Sequence, residues 1–155
     1  PNTVDRTVKE ISNFNVAMTT IHLQGGKDMI EAALESSSKT KIIGVSVLTS
    51  LNDKDMNEMH GNSFNDQFGR LMKLAENTKI DGIVCSPQEL KQLKEFNRIK
   101  VVPGIRNELT SDDQKRTMSS KEAYENGADF IVIGRPITQS EDPEKASKEI
   151  LNEIR

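Results

Sequence analysis

Five short runs of apolar, mostly β-branched residues punctuate the chain, and they restrict its fold more than any other feature. They are AMTTIHL (17–23), IIGVSVL (42–48), GIVC (82–85), KVV (100–102) and FIVIG (130–134), the first being the weakest. Runs this short and this continuously apolar suit strands covered on both faces, as in a parallel sheet. Between them apolar residues recur at three and four. Val4, Val8 and Ile11 share one face, as do Met29, Ile30, Ala33 and Leu34, and then Phe64, Phe68, Leu71, Met72 and Ala75. Leu90, Leu93 and Phe96 follow the same spacing, and so do Ala146, Ile150, Leu151 and Ile154. Each set predicts an amphipathic helix.

Local signals place several helix ends. Ser86-Pro87-Gln88-Glu89 combines a serine cap, a first-turn proline and a glutamate at the third position. Ser119 with Glu122 repeats that box, Gly127 is placed to end its helix, and Asp142-Pro143 opens the last one. Lys27, after Gly25-Gly26, reads as a helix start. The rest of a P-loop is missing there, so triphosphate binding is not indicated. The order is therefore α-(βα)₅ in one domain, 1–155, with its longest irregular stretch at about 104–118. A long loop after a parallel strand is where α/β folds keep their chemistry.

Unit length narrows this α/β class further. Five βα units in 155 residues take 31 each, about the spacing of an eight-unit barrel of ~250 residues. Five units cannot close such a barrel. The chain is either an open five-stranded sheet or the C-terminal part of a TIM (β/α)₈ barrel that lacks three units.

Composition excludes other classes. Charged residues make up 29% and the net charge is −3, which argues against a nucleic-acid partner bound through a basic face. No apolar run approaches the ~18 residues of a membrane span, and the start PNTVDRTVKE has no apolar core of a signal peptide. One cysteine, Cys85, excludes an internal disulfide, fits a reducing compartment and reads as a small buried hydrophobe. His22, His60 and Cys85 do not cluster, so no metal site is expected. His22 reads as a structural histidine bonded to backbone, and His60, beside Gly61, as solvated.

Three strand ends carry candidate chemistry. In VVPGIRNELTSDDQKR (101–116), Pro103-Gly104 breaks the strand, and Arg106 and Gln114 flank a polar loop. A guanidinium offers a rigid fork to phosphate, and an amide both donates and accepts. The same residues also suit a solvated surface loop. In VIGRPIT (132–138), Gly134 leaves its N–H open to an anion, Arg135 adds charge and Pro136 sets the turn. Phosphate sites after the last two strands, with a short helix, recur in (βα)₈ barrels. A plain strand-to-helix turn explains that motif equally. In SVLTSLNDKDM (46–56), Thr49 and Ser50 could bond a polar heterocycle, although alone they read first as a helix or turn cap.

Taken together, PNTV, IHLQGG, SVLTS, DGIVCS, VVPGIR, DDQKR and GADFIVIGRPITQSEDP resemble the bacterial type of the orotidine 5′-phosphate decarboxylase family, in order and approximate spacing across the whole chain. The resemblance implies a (β/α)₈ barrel that dimerises with sites at the subunit interface. It implies a cytoplasmic carbon–carbon lyase, without metal or organic cofactor, that converts orotidine monophosphate to uridine monophosphate and CO₂ in pyrimidine synthesis. It assigns Thr49 to the pyrimidine edge, and Gln114 to a bridge between phosphate and base. Gly134 N–H and the Arg135 side chain go to the phosphate, Arg106 to the phosphate-end loop, and Thr3 to the ribose across the dimer interface.

One departure is large. The family's Asp-x-Lys-x-x-Asp-Ile run leads directly into Pro-Asn-Thr, and this chain begins at Pro1. An earlier lysine and aspartate on the first strands are also absent. No catalytic residue is therefore assigned within the chain. The expectation is an N-terminally truncated barrel without its first three βα units, inactive by itself. Two alternatives stay open: another phosphate-binding barrel of the superfamily acting on sugar phosphates with a metal, and a non-catalytic phosphate-binding module.

Overall fold

The structure, a computed structural model, describes residues 1–48, 50–105 and 118–154. The chain forms two compact units, Pro1–Val84 and Cys85–Arg155.

The first unit runs α1 (Asn2–Asn13), β1 (Met18–His22), a 3₁₀ turn (Leu23–Gly25), α2 (Lys27–Ser36), β2 (Lys41–Val45), α3 (Asp53–His60), α4 (Phe64–Thr78) and β3 (Gly82–Val84). Its strands pair in parallel, with Met18 opposite Lys41 and Ile43 opposite Gly82. The continuous apolar run predicted a strand covered on both faces, and in β2 the consecutive residues Ile42, Ile43 and Gly44 are all buried. Gly44 is required by a close approach: a Cβ there would lie 2.5 Å from Leu23 Cδ2 and 3.0 Å from Ile80 Cδ1. Leu23 and Ile80 have no exposed surface, so neither can move aside cheaply. The apolar faces of α2 and α4 supply Ile30, Ala33, Phe68, Leu71, Met72 and Ala75 to the same core.

The second unit runs α5 (Pro87–Leu90), β4 (Ile99–Pro103), α6 (Ser120–Glu125), β5 (Phe130–Val132), α7 (Arg135–Thr138) and α8 (Pro143–Glu153). β4 and β5 are parallel, with Val101 opposite Phe130 and Pro103 opposite Val132. Both serine boxes form as expected. Ser86 Oγ accepts the Glu89 N–H while Glu89 Oε2 accepts the Ser86 N–H, and Ser119 and Glu122 do the same. Asp142 caps α8 by accepting the Lys145 N–H at 2.9 Å.

A matching joint occurs once in each unit. Asp81, just before β3, gives its N–H to Ile42 O at 3.2 Å and takes the Ile42 N–H on Oδ2 at 2.9 Å. Asp129, just before β5, gives its N–H to Lys100 O at 3.0 Å and takes the Lys100 N–H on Oδ2 at 2.8 Å. In both places an aspartate leading one strand fastens the start of the preceding strand. The register is thereby set at the amino end, which leaves the carboxyl end to the loops.

Several details differ from the sequence expectations. α3 was not anticipated; it is held by an Asn52–Asp55 capping box and buries only Met56. The set Leu90, Leu93 and Phe96 predicted a helix, but α5 stops at Leu90. Turns then continue, with Gln92, Leu93 and Phe96 N–H bonding back three residues. Such turns repeat every three residues, so all three side chains still reach the core. Leu151, grouped with the buried face of α8, is 49% exposed. No helix among the described residues is long and apolar enough to cross a membrane.

Candidate functional site

The strand carboxyl ends set the geometry. In the second unit β5 ends at Val132, and Gly134 stands at the head of α7. Its carbonyl accepts Ile137 N–H at 2.9 Å and Thr138 N–H at 3.0 Å, which holds the four-residue helix at the strand tip. Gly134 has φ −103°, outside the left-handed region, and a Cβ placed on it would meet nothing within 4 Å. Among the described residues, packing therefore leaves the space beside this main chain open.

Arg135 is exposed, and no carboxylate pairs with it among the described residues. Arg135 follows Gly134 directly at this strand end. Fixed donors and an unpaired charge are what an anion such as phosphate needs.

β4 ends in the same unit. Gly104 has φ +79°, where a side chain would be strained, so Pro103-Gly104 turns the chain sharply as the motif suggested. Ile105 and Met118 then form a parallel bridge, and both are buried. Arg106 and Gln114 lie outside the described residues, as does Thr49 after β2.

Thr3 belongs to the first unit. It sits exposed in the first turn of α1, where its carbonyl accepts the Thr7 hydroxyl at 2.8 Å. Of the six predicted site residues, the structure describes Thr3, Gly134 and Arg135, the last two being sequence neighbours at the head of α7.

Ser46, singled out by no motif, is the buried feature at the end of β2. Its hydroxyl donates to Val84 O at 2.9 Å and its N–H to the same oxygen at 3.2 Å, which ties the 46–56 segment to β3 at its first residue. Only its place in SVLTS could have marked it. His22 departs from expectation. It is exposed at the end of β1 and bonds no backbone group among the described residues. His60 is exposed in the last turn of α3, as anticipated.

The sole cysteine is inert by placement. Cys85 is 1% exposed, and burial, reinforced by the nearby Glu89 carboxylate against a smaller opposing effect of Lys100, pushes its thiol up to about 12. It is no nucleophile at neutral pH. Glu122 moves the other way: the Ser119 N–H and hydroxyl donate to its carboxylate and hold it below the usual range.

Parallel βα units, registered by aspartates at one end of their strands and broken by glycines at the other, define a βα-repeat scaffold that works at the carboxyl ends of its strands. Comparison with known proteins assigns the branch. The profile of the orotidine 5′-phosphate decarboxylase / HUMPS family matches residues 1–150. A relative named orotidine 5′-phosphate decarboxylase from Ehrlichia chaffeensis is 44% identical over 161 residues, covering 99% of this chain and 70% of its own. The corresponding protein of Wolbachia pipientis from Culex pipiens is 42% identical, with 99% and 71% covered. The crystal structure of orotidine 5′-phosphate decarboxylase from Lactobacillus acidophilus superposes with a TM-score of 0.84 at 33% identity, over 100% of this chain and 70% of that one. This chain belongs to the orotidine 5′-phosphate decarboxylase / HUMPS family. Its fold is α/β, part of a (β/α)₈ barrel, and it spans about 70% of the length of these relatives.

Proposed function

We propose that the chain supplies the phosphate-binding and pyrimidine-binding loops of an orotidine 5′-phosphate decarboxylase, acting as one partial barrel domain over 1–155. The barrel it belongs to releases CO₂ from orotidine monophosphate and gives uridine monophosphate. The observation that carries this reading is the family match over residues 1–150, shared with relatives that bear that name at 42–44% identity. The open main chain at Gly134 beside the unpaired Arg135 supports a phosphate role for that pair. Thr49, Arg106 and Gln114 complete the nucleotide contacts, and Thr3 meets the ribose of a neighbouring subunit in a homodimer. Phosphate contacts remote from the reacting carbon provide binding energy that is realised at the transition state.

No Asp-x-Lys-x-x-Asp run occurs among the 155 residues. The chain alone therefore binds without turning substrate over, and the completed barrel works in the cytoplasm without metal or organic cofactor. The test joins this chain to the segment of the Ehrlichia chaffeensis relative that it does not cover. The joined protein should decarboxylate orotidine monophosphate with no loss of rate in EDTA, while the 155-residue chain shows none. Arg135→Ala should weaken uridine monophosphate binding by ~10–100-fold, the worth of a hydrogen bond to a charged group. Gly134→Ala should also weaken it, while leaving the unfolding midpoint nearly unchanged. Unaltered nucleotide affinity in both variants refutes the phosphate role. A metal requirement would move the protein to the sugar-phosphate branch.

A further inference from the structure

Asn126-Gly127 is the only asparagine–glycine pair in the sequence, and the fold places it at the turn that leads into β5. Asn126 is the C-cap of α6, and Gly127 follows at φ +90°, a conformation that favours glycine. Gly127 N–H donates to Tyr124 O at 2.9 Å and Ala128 N–H to Ala123 O at 3.0 Å, the paired bonds that close a helix on a left-handed glycine. Asn126 gives both its main-chain N–H and its Nδ2 to Glu122 O, at 3.0 and 2.7 Å. Gly127 is exposed and Asn126 half-buried. A glycine nitrogen has no Cβ beside it to block its approach to the preceding carboxamide. Lys100 Nζ would lie 4.0 Å from a Cβ placed on Gly127, so a positive charge stands where negative charge develops during such an attack. The hydrogen bonds of the turn oppose the attack. They close a helix of only six residues, and the ends of short helices open readily.

We propose that Asn126 is a site of spontaneous covalent modification, converting to aspartate and isoaspartate when the last turn of α6 opens, and that the isoaspartate form loosens the register of β5. The Gly127 nitrogen gives up its proton and bonds to Asn126 Cγ. The Cγ–Nδ2 bond breaks, and ammonia leaves with that proton. Water then opens the cyclic imide at either carbonyl. One opening leaves aspartate. The other leaves isoaspartate, in which the main chain runs through Cβ and Cγ and is one carbon longer. Both products lose the Nδ2 bond to Glu122 O and set a carboxylate at the carboxyl end of α6, where the helix dipole opposes it. Only isoaspartate lengthens the main chain between α6 and Asp129. Asp129 Oδ2 holds the Lys100 N–H at 2.8 Å and aligns β5 on β4. The added carbon therefore acts on the latch of the strand that leads to Gly134.

The experiment holds the folded chain in mildly alkaline buffer and follows peptide masses together with enzymatic methylation of isoaspartate. Position 126 should convert before any other asparagine. Asn126→Gln, whose longer side chain closes the ring far more slowly, should abolish the signal while the circular dichroism spectrum stays unchanged. Removing the α6 cap with Ser119→Ala should speed conversion by ~2–30-fold, the gain in the opened population when a serine cap is lost. In the isoaspartate form, amide exchange at Lys100 should quicken. Asn126→Asp carries the charge without the added carbon and should keep Lys100 protected. Four results would each overturn the proposal: earlier conversion at another asparagine, no conversion at 126 while the urea-unfolded chain converts fully, an unaltered rate in Ser119→Ala, or unchanged Lys100 exchange in the isoaspartate form.

Discussion

Replacing Asp81 by alanine tests what registers β3 on β2. Asp81 Oδ2 accepts the Ile42 N–H at 2.9 Å, and Oδ1 meets Lys41 Nζ at 3.0 Å. Ile42 has no exposed surface, so its amide has no water to turn to when the carboxylate is removed. A hydrogen bond to a charged acceptor contributes ~1.5–3 kcal/mol, and leaving a buried donor unmatched costs a similar amount. The Lys41 pair adds little, ~0.2–1 kcal/mol, because that side chain is 56% exposed. Asp81→Ala should therefore destabilise the chain by ~2–4 kcal/mol. Asp81→Asn keeps an oxygen for Ile42 and should cost about 1 kcal/mol. Lys41→Met should cost less than about 1 kcal/mol. Urea unfolding followed by circular dichroism resolves the three: at a slope of about 2 kcal/mol per molar, the alanine variant shifts its midpoint by roughly 1–2 M. Amide exchange at Ile42 should accelerate in the alanine variant and stay protected in the asparagine one. An alanine variant within ~0.5 kcal/mol of the parent, below the cost of an unmatched buried donor, refutes this account. So does an asparagine variant as unstable as the alanine one, since charge and not the acceptor would then be what matters.

Two further predictions concern the interior. Gly44→Ala should destabilise by ~1–3 kcal/mol through overpacking, and Leu23→Ala in the same chain should recover part of the loss; additive losses would show that the two side chains do not compete for one space. Cys85 should resist maleimide at pH 7–9 in the folded chain and react at the rate at which its surroundings open, so labelling within minutes at pH 8 would contradict its burial. The thiol also makes a signed contribution to pH dependence. Its folded value, about 12, lies above the ordinary value of 9.0, so the neutral form is favoured on folding. That contribution is complete below pH 9 and is lost as pH rises from there toward 12, whereas Cys85→Ala should flatten this alkaline limb of the stability curve.

The parallel βα order was legible because several strand centres are short apolar runs, and such runs have few destinations other than a covered sheet. Ile42 and Ile43 illustrate it, both fully buried. Helix starts were legible where serine and glutamate stand three apart. α3 was not: in DKDMNEMH a single residue, Met56, is buried, so no periodic stripe exists, and its box uses asparagine and aspartate in place of the commoner pair. The stretch after Leu90 misled because a spacing of three serves successive turns as well as helix. At the candidate site, Gly134 and Arg135 drew notice from the residues themselves, since a strand that stops at Gly-Arg-Pro places bare main chain and a charge next to each other in sequence. Thr49, Arg106 and Gln114 could be read only as candidates with an equally good loop or cap reading, since their types are common in loops, and Thr3 was given a role by the resemblance alone. His22 was misread because a histidine beside two glycines gives no sign of whether solvent reaches it.

The aspartates that precede β3 and β5 make every such seam self-sufficient. The modules led by β3 and β5 each carry a latch for the strand before them, Asp81 onto Ile42 and Asp129 onto Lys100, and hold that seam by local contacts. A cylinder assembled this way can be opened between modules without unpicking the seams on either side of the cut. Breakpoints that fall just before a latch's own strand should scramble alignment, while those falling in the loops at the opposite end should leave it intact.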